Sequence, residues 1–148
     1  MVRAKVVPGH GIASGKNYDP RFPNGTLAMQ FPFFARSDLK LSRFHQGTVN
    51  VDIAPHAFKL LSPVFYFPKV KWSPDLPAEN FSFYTCTIAE NMDSVEHNSY
   101  IYWPHPSTKP GFHQSPGVLE ILSPKLSFIS YGSSVILRAS TEDILFLL

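Results

Sequence analysis

The stretch 81–90, FSFYTCTIAE, carries the clearest secondary-structure signal in this chain of 148 residues. Aromatic and β-branched side chains fill it, and no glycine or proline interrupts it, which is typical of a β-strand. Alternation along a strand places Phe81 and Phe83 on one face and Ser82, Tyr84 and Cys86 on the other. The sequence therefore predicts a strand here, and the rest of the chain is interpreted around it.

Shorter stretches of the same kind lie on both sides, separated by glycine, proline and small polar residues. The predicted strands are RAKVV (3–7), GTVNVDI (47–53), VFYFPKVKW (64–72), SYIYWP (99–104), VLEILSP (118–124) and VILRAS (135–140). TLAMQFPFF (26–34) is predicted as a strand broken at Pro32, APHAFKLL (54–61) as a single helical turn, and Pro68 as the mark of an edge strand or a bulge. Many short strands at regular spacing predict one mainly β domain over residues 1–148, a small barrel or sandwich with short helical turns and long loops.

Composition narrows the classes of partner. The net charge is +2 and no run of five basic residues occurs, so the clustered basic surface that nucleic acid requires is not expected. No apolar stretch approaches the roughly 20 residues of a membrane span. The single cysteine, Cys86, forms no internal disulfide and suits a reducing compartment. A cytoplasmic protein without nucleic-acid or membrane partners is expected.

Three segments stand out as candidates for chemistry. The glycine-rich segment 9–17 could form a phosphate cradle, but taken alone it is better explained as an ordinary glycine-rich turn. Thr48 and Asn50 lie on one side of a predicted strand, where they form either two oxygen ligands for Mg²⁺ or a polar strand face. The segment 100–124 contains His105 and His113, whose spacing does not suit zinc.

Taken together and in this order, these segments resemble the archaeal-type CTP-dependent riboflavin kinase family. The matching stretches are VVPGHGIASG, GTVNVDI, PSTKP, VLEILSP and SYGSSVIL, which together reach from about Val6 to Leu137. The resemblance implies a closed cradle-loop β-barrel. It also implies Mg²⁺-dependent transfer of a phosphoryl group from CTP, or another nucleoside triphosphate, to the primary hydroxyl of a flavin-like small molecule.

The resemblance also implies a role for each matching residue. Gly9, His10 and Gly11 would lie on the nucleotide loop, and Lys125 and Leu126 would border the cytidine. Thr48 and Asn50 would hold Mg²⁺, while Thr108 and Glu120 would contact the flavin-like substrate. Glu120 would orient or deprotonate the attacking hydroxyl.

Two of the chain's departures from the family pattern bear on phosphate binding. Ile12, Ala13 and Ser14 follow the first glycines where the family has an acidic residue and a glycine, and KLSFIS (125–130) lacks the arginine that the family carries after the conserved proline. Lys109 or Lys125 would then supply the missing positive charge. These departures keep a second hypothesis open, a catalytically inactive barrel that binds a small molecule or serves as a structural, oligomeric protein.

Overall fold

The computed structural model describes residues 1–8, 26–34, 44–45, 47–105 and 117–147. Nine strands and one helix occur within these ranges. They are β1 (Val2–Val7), α1 (Thr26–Phe34), β2 (Val49–Asp52), β3 (Ala57–Leu60), β4 (Phe65–Val70), β5 (Glu79–Ala89), β6 (His97–Pro104), β7 (Val118–Leu122), β8 (Ser134–Arg138) and β9 (Ile144–Leu147).

Seven of the strands form one antiparallel sheet in the order β4-β5-β6-β7-β2-β1-β8. The eleven-residue β5 makes the sheet curl into a ring, because its last residues also pair with β8 at the far end of the order. Its first half pairs with β4 instead. The prediction of a mainly β fold is confirmed, and so is the strand at 81–90.

The inner face of the ring is filled by apolar side chains. Their centre consists of fully buried aliphatic residues on neighbouring strands, Val51, Ile101, Leu119, Ile121 and Leu137. A small second sheet of β3 and β9 packs against this inner core through Phe58, Leu60 and Phe146. The predicted helical turn at 54–61 is therefore wrong, because residues 57–60 form a strand. The missing information was the partner strand β9, which supplies both the hydrogen bonds and the packing.

Helix α1 packs on the outer face of the sheet, so the predicted strand at 26–34 is also wrong. Leu27, Gln30 and Phe34 are spaced by three and four residues and are all buried, whereas Pro32 is exposed. That spacing is one face of a helix. Within the described ranges no helix is long and apolar enough to cross a membrane.

The outer core lies between α1 and strands β4 to β7. Phe34 contacts the rings of Phe67, Phe81 and Phe83 at centroid distances of 5.0, 5.2 and 5.0 Å. These separations and tilted or edge-on angles are the ones aromatic pairs prefer. These contacts hold α1 against β4 and β5.

Pro68 marks an irregularity, as predicted. The pairing of β4 with β5 shifts register between Phe67 and Val70, and Lys69 has a φ of 51°. The backbone N–H of Lys69 donates to Asn80 Oδ1 at 2.8 Å instead of joining the ladder. Proline is tolerated here because β4 is an edge strand and its ladder is already interrupted at this point.

Candidate functional site

The outer face of the sheet carries a line of polar side chains on three adjacent strands. Tyr102 on β6 is the cross-strand partner of Glu120 on β7, and Glu120 is the partner of Asn50 on β2. Thr48 lies two residues before Asn50. We call Thr48, Asn50, Glu120 and Tyr102 the polar row.

Three residues of the polar row were singled out from the sequence, and the fold brings them together. The Thr48 hydroxyl donates to Glu120 Oε1 at 3.3 Å, across 72 residues of chain. Asn50 is only 8% exposed, and Thr48 and Glu120 are half-buried. The polar side chains of an ordinary solvent-facing strand would be more exposed than these. Asn50 therefore belongs to a partly enclosed polar cluster.

Asp52, the next residue on this face, has a structural role. Its Oδ1 accepts a hydrogen bond from the backbone N–H of Ala54 at 2.9 Å, which fixes the turn after β2. A Cβ atom at position 117 would stand 3.0 Å from the same oxygen. A side chain at position 117 would therefore crowd this carboxylate just before β7 begins.

Tyr102 and Gln30 were not predicted to belong to the site. The Tyr102 hydroxyl donates to Gln30 Oε1 on α1 at 2.6 Å, and both residues are buried. Burial, followed by the negative charges of Glu120 and Glu79, raises the pKa of Tyr102 well above its usual value, against the effect of the Gln30 hydrogen bond. The phenol is therefore neutral across the physiological pH range. The helical spacing of Leu27, Gln30 and Phe34 was the sequence signal that could have placed Gln30 here.

Removing the Tyr102 hydroxyl tests this link between the helix and the polar row. We expect Tyr102→Phe to lower the free energy of unfolding by about 1–3 kcal/mol, because the buried Gln30 carbonyl loses its hydrogen-bond donor. Urea denaturation followed by circular dichroism measures the change. Tyr66→Phe is the matched control, because Tyr66 is half exposed on β4. An equal loss in both variants would contradict the assignment.

The remaining predicted residues divide into two groups. Lys125 is exposed, and Leu126 is half-buried against the inner core. Both follow the end of β7, near the backbone hydrogen bond from His45 N to Ser123 O. Gly9, His10, Gly11, Thr108 and Lys109 lie outside the described residues.

A half-buried aromatic group lies next to one end of the polar row. The Tyr100 ring is 5.6 Å from Phe44 and 6.2 Å from Phe65, and both contacts are edge-on. Tyr100 is on the same face as Tyr102, since the two are separated by one residue of β6. Partly exposed rings of this kind are suited to contact a planar ligand.

A second polar contact, between Ser82 and His105, occupies the opposite face of the sheet. Ser82 Oγ and His105 Nε2 are 2.7 Å apart, and the Tyr66 ring lies 5.6 Å from the imidazole. Burial lowers the pKa of His105 below 6.5. No described group of three histidine, cysteine, aspartate or glutamate residues is placed to hold a metal ion.

The lowered pKa of His105 predicts how stability depends on pH. In the unfolded chain His105 has its ordinary pKa of 6.5, so below that pH the unfolded state binds more protons than the folded state. The free energy of unfolding should then fall as the pH drops through 6.5. We expect His105→Gln to show a shallower fall in thermal melts between pH 7 and 5. A fall as steep as that of the original chain would contradict this prediction.

Cys86 is buried on β5, as expected for an unreactive thiol. Burial raises the pKa of the Cys86 thiol far above its ordinary value. A thiol is a poor nucleophile unless it is ionised. Cys86 therefore takes no part in the candidate site.

Comparison with known proteins gives no independent assignment: no family profile matches the chain, and no curated protein matches it significantly.

Proposed function

We propose that the polar row is the centre of a riboflavin-kinase-like phosphotransferase built on a closed cradle-loop barrel. The observation that carries the proposal is the convergence of Thr48, Asn50 and Glu120 from two distant parts of the sequence. Each of these residues has a role in the family that the chain resembles. Together they offer a hydroxyl, an amide and a carboxylate in one partly enclosed place.

The oxygen atoms of the polar row suit Mg²⁺. The Thr48 hydroxyl donates a hydrogen bond to Glu120. The lone pairs of its oxygen therefore stay available to coordinate the metal ion. Asn50 provides a neutral carbonyl oxygen beside it. Magnesium usually takes one or two protein ligands and fills its other positions with phosphate oxygens and water. Bound there, the ion would neutralise charge on the phosphates of a nucleotide.

The connections between the strands favour binding of the nucleotide at one end of the polar row and of the phosphoryl acceptor at the other. β1 ends at Val7, the cross-strand partner of Asn50, and the chain then enters the glycine-rich segment. Lys125 lies at the same end of the polar row, beyond Leu122. The segment that contains Thr108 and Lys109 rejoins the sheet at the other end, where Val118 pairs with Asp52. The nucleotide would bind at the first end and the acceptor at the second, with Glu120 between them.

In phosphoryl transfer the protein mainly positions the reactants and neutralises charge. Glu120 would accept a hydrogen bond from the primary hydroxyl of the acceptor and remove its proton as the oxygen attacks the γ-phosphorus. Thr48 holds one oxygen of this carboxylate. The half-buried rings of Phe44, Phe65 and Tyr100 lie at the nucleotide end, where Tyr100 pairs with Leu122, and would contact the planar base of the nucleotide. Lys109 or Lys125 would stabilise the charge that develops on the phosphates.

A substitution at Glu120 separates catalysis from binding. We expect Glu120→Gln to lower the rate of riboflavin phosphorylation by about 100-fold or more, the usual contribution of a general base. Its affinity for the nucleotide should stay within about threefold, which is less than the 1.4 kcal/mol of a tenfold change. Chromatography of riboflavin and its phosphate measures turnover with CTP or ATP and Mg²⁺. Glu90→Gln, on the exposed hairpin after β5, is the matched control.

The same aromatic group favours the second hypothesis, in which the barrel binds a planar small molecule without transferring a phosphoryl group. Riboflavin binding without nucleotide binding or turnover would support this hypothesis. Sedimentation would then show whether the binding form is an oligomer. If neither flavins nor nucleotides bind, the kinase proposal is wrong, and a different ligand or a structural, oligomeric role is left.

A further inference from the structure

A depression of about 320 Å³ lies on the outer surface of β1, β2 and the start of β8, beyond the Asp52 end of the polar row. Its lining contains two basic side chains, one imidazole, one hydroxyl and one carboxylate. The residues that matter are Arg3, Lys5, Asp52, Pro55, His56 and Ser134. None of the residues given a role in the proposed phosphoryl transfer lines this depression.

Arg3 and Lys5 supply the positive charge. They alternate on β1 with Val2, Ala4 and Val6 of the inner core, and both are exposed on the outer face. Lys5 lies between its cross-strand partners Asp52 on β2 and Ser134 on β8. In the described part of the chain, neither basic side chain makes an ion pair or a side-chain hydrogen bond.

The one carboxylate of the lining is engaged locally. Asp52 Oδ1 accepts the Ala54 N–H at 2.9 Å, so this oxygen is directed toward the turn. Two cations therefore face one carboxylate, and the lining is net positive without any contribution from His56. A concave surface with net positive charge raises the local concentration of anions.

We propose that this depression binds the phosphate group of a small molecule. The guanidinium of Arg3 matches two phosphate oxygens at once, and the ammonium of Lys5 acts as a point charge beside it. The Ser134 hydroxyl and the His56 ring add hydrogen-bond donors on two walls. The volume is near the lower limit for small-molecule sites, which suits a compact phosphate ester.

Titration with inorganic phosphate, followed by two-dimensional NMR of the labelled full chain at constant ionic strength, tests this site. We expect saturable changes in the NMR chemical shifts of Arg3, Lys5, His56 and Ser134. The double substitution of Arg3→Gln and Lys5→Gln should raise the apparent Kd for phosphate by about tenfold or more, because two charge-assisted hydrogen bonds are lost. Lys59→Gln, at an exposed lysine of β3, is the control and should leave the Kd unchanged.

Two outcomes would overturn the proposal. The chemical-shift changes could fail to saturate and be reproduced by chloride. That result would show only general screening of a basic surface. An equal loss in Lys59→Gln would show that no particular lysine matters.

The site is also separable from the proposed kinase centre. Phosphate should bind without Mg²⁺, and Thr48→Ala should leave its Kd unchanged. If Thr48→Ala abolishes phosphate binding, the phosphate occupies the polar row and the depression is not the site.

Discussion

Thr48→Ala and Asn50→Ala should each weaken Mg²⁺-dependent binding of CTP or ATP by about 100-fold or more. Replacing even an outer-shell partner of a metal ligand typically costs 10- to 100-fold in affinity, so the loss of a direct ligand should cost at least as much. Isothermal titration with and without Mg²⁺ measures the effect. Binding in the absence of Mg²⁺ should be weak in the original chain and should change little in the variants.

Matched substitutions make this prediction specific. Thr85→Ala on β5 and Asn98→Ala on β6 remove the same groups from exposed positions of the sheet. They should bind the nucleotide as the original chain does. If Thr48→Ala and Asn50→Ala also bind it normally, the metal assignment is wrong.

Phe34→Ala should cause the largest loss of stability among these substitutions, about 3–5 kcal/mol, as is usual when a buried phenylalanine is truncated. Phe34 is fully buried and contacts three other phenylalanine rings. Truncation leaves a cavity under α1 that these rings cannot fill. Chemical denaturation measures the free energy of unfolding.

The neighbouring residue provides the control for Phe34. Phe33 is 38% exposed, so Phe33→Ala should change the free energy of unfolding by only about 0.5 kcal/mol. Similar losses in both variants would mean that 26–34 is not a helix with this buried face.

Strands with a clear alternation were predictable because the signal is local. β5 and β2 were found in this way, since their side chains alternate over several residues without interruption. Helix α1 was missed because Pro32 and its many phenylalanines are typical of a strand end. Only the outer core explains why Leu27, Gln30 and Phe34 share one face. β9 was missed because its partner β3 is more than 80 residues away along the chain.

The candidate site was likewise predictable only in those features that depend on local sequence. Spacing alone put Thr48 and Asn50 on one side of a strand, and the resemblance to a kinase family added Glu120. Their hydrogen-bonded contact depends on the register of β2 with β7, which no local pattern specifies. Tyr102 and Gln30 join two elements that are 72 residues apart. Such pairs follow from the tertiary fold.

Replacing Mg²⁺ with paramagnetic Mn²⁺ in the presence of CTP tests the central claim most directly. Manganese accepts the same oxygen ligands and broadens the NMR signals of nearby nuclei. We predict that the signals of Thr48, Asn50 and Glu120 broaden first, while those of Lys59 on β3 stay sharp. Broadening centred elsewhere, or none at all in the presence of CTP, would contradict the proposed Mg²⁺-nucleotide site.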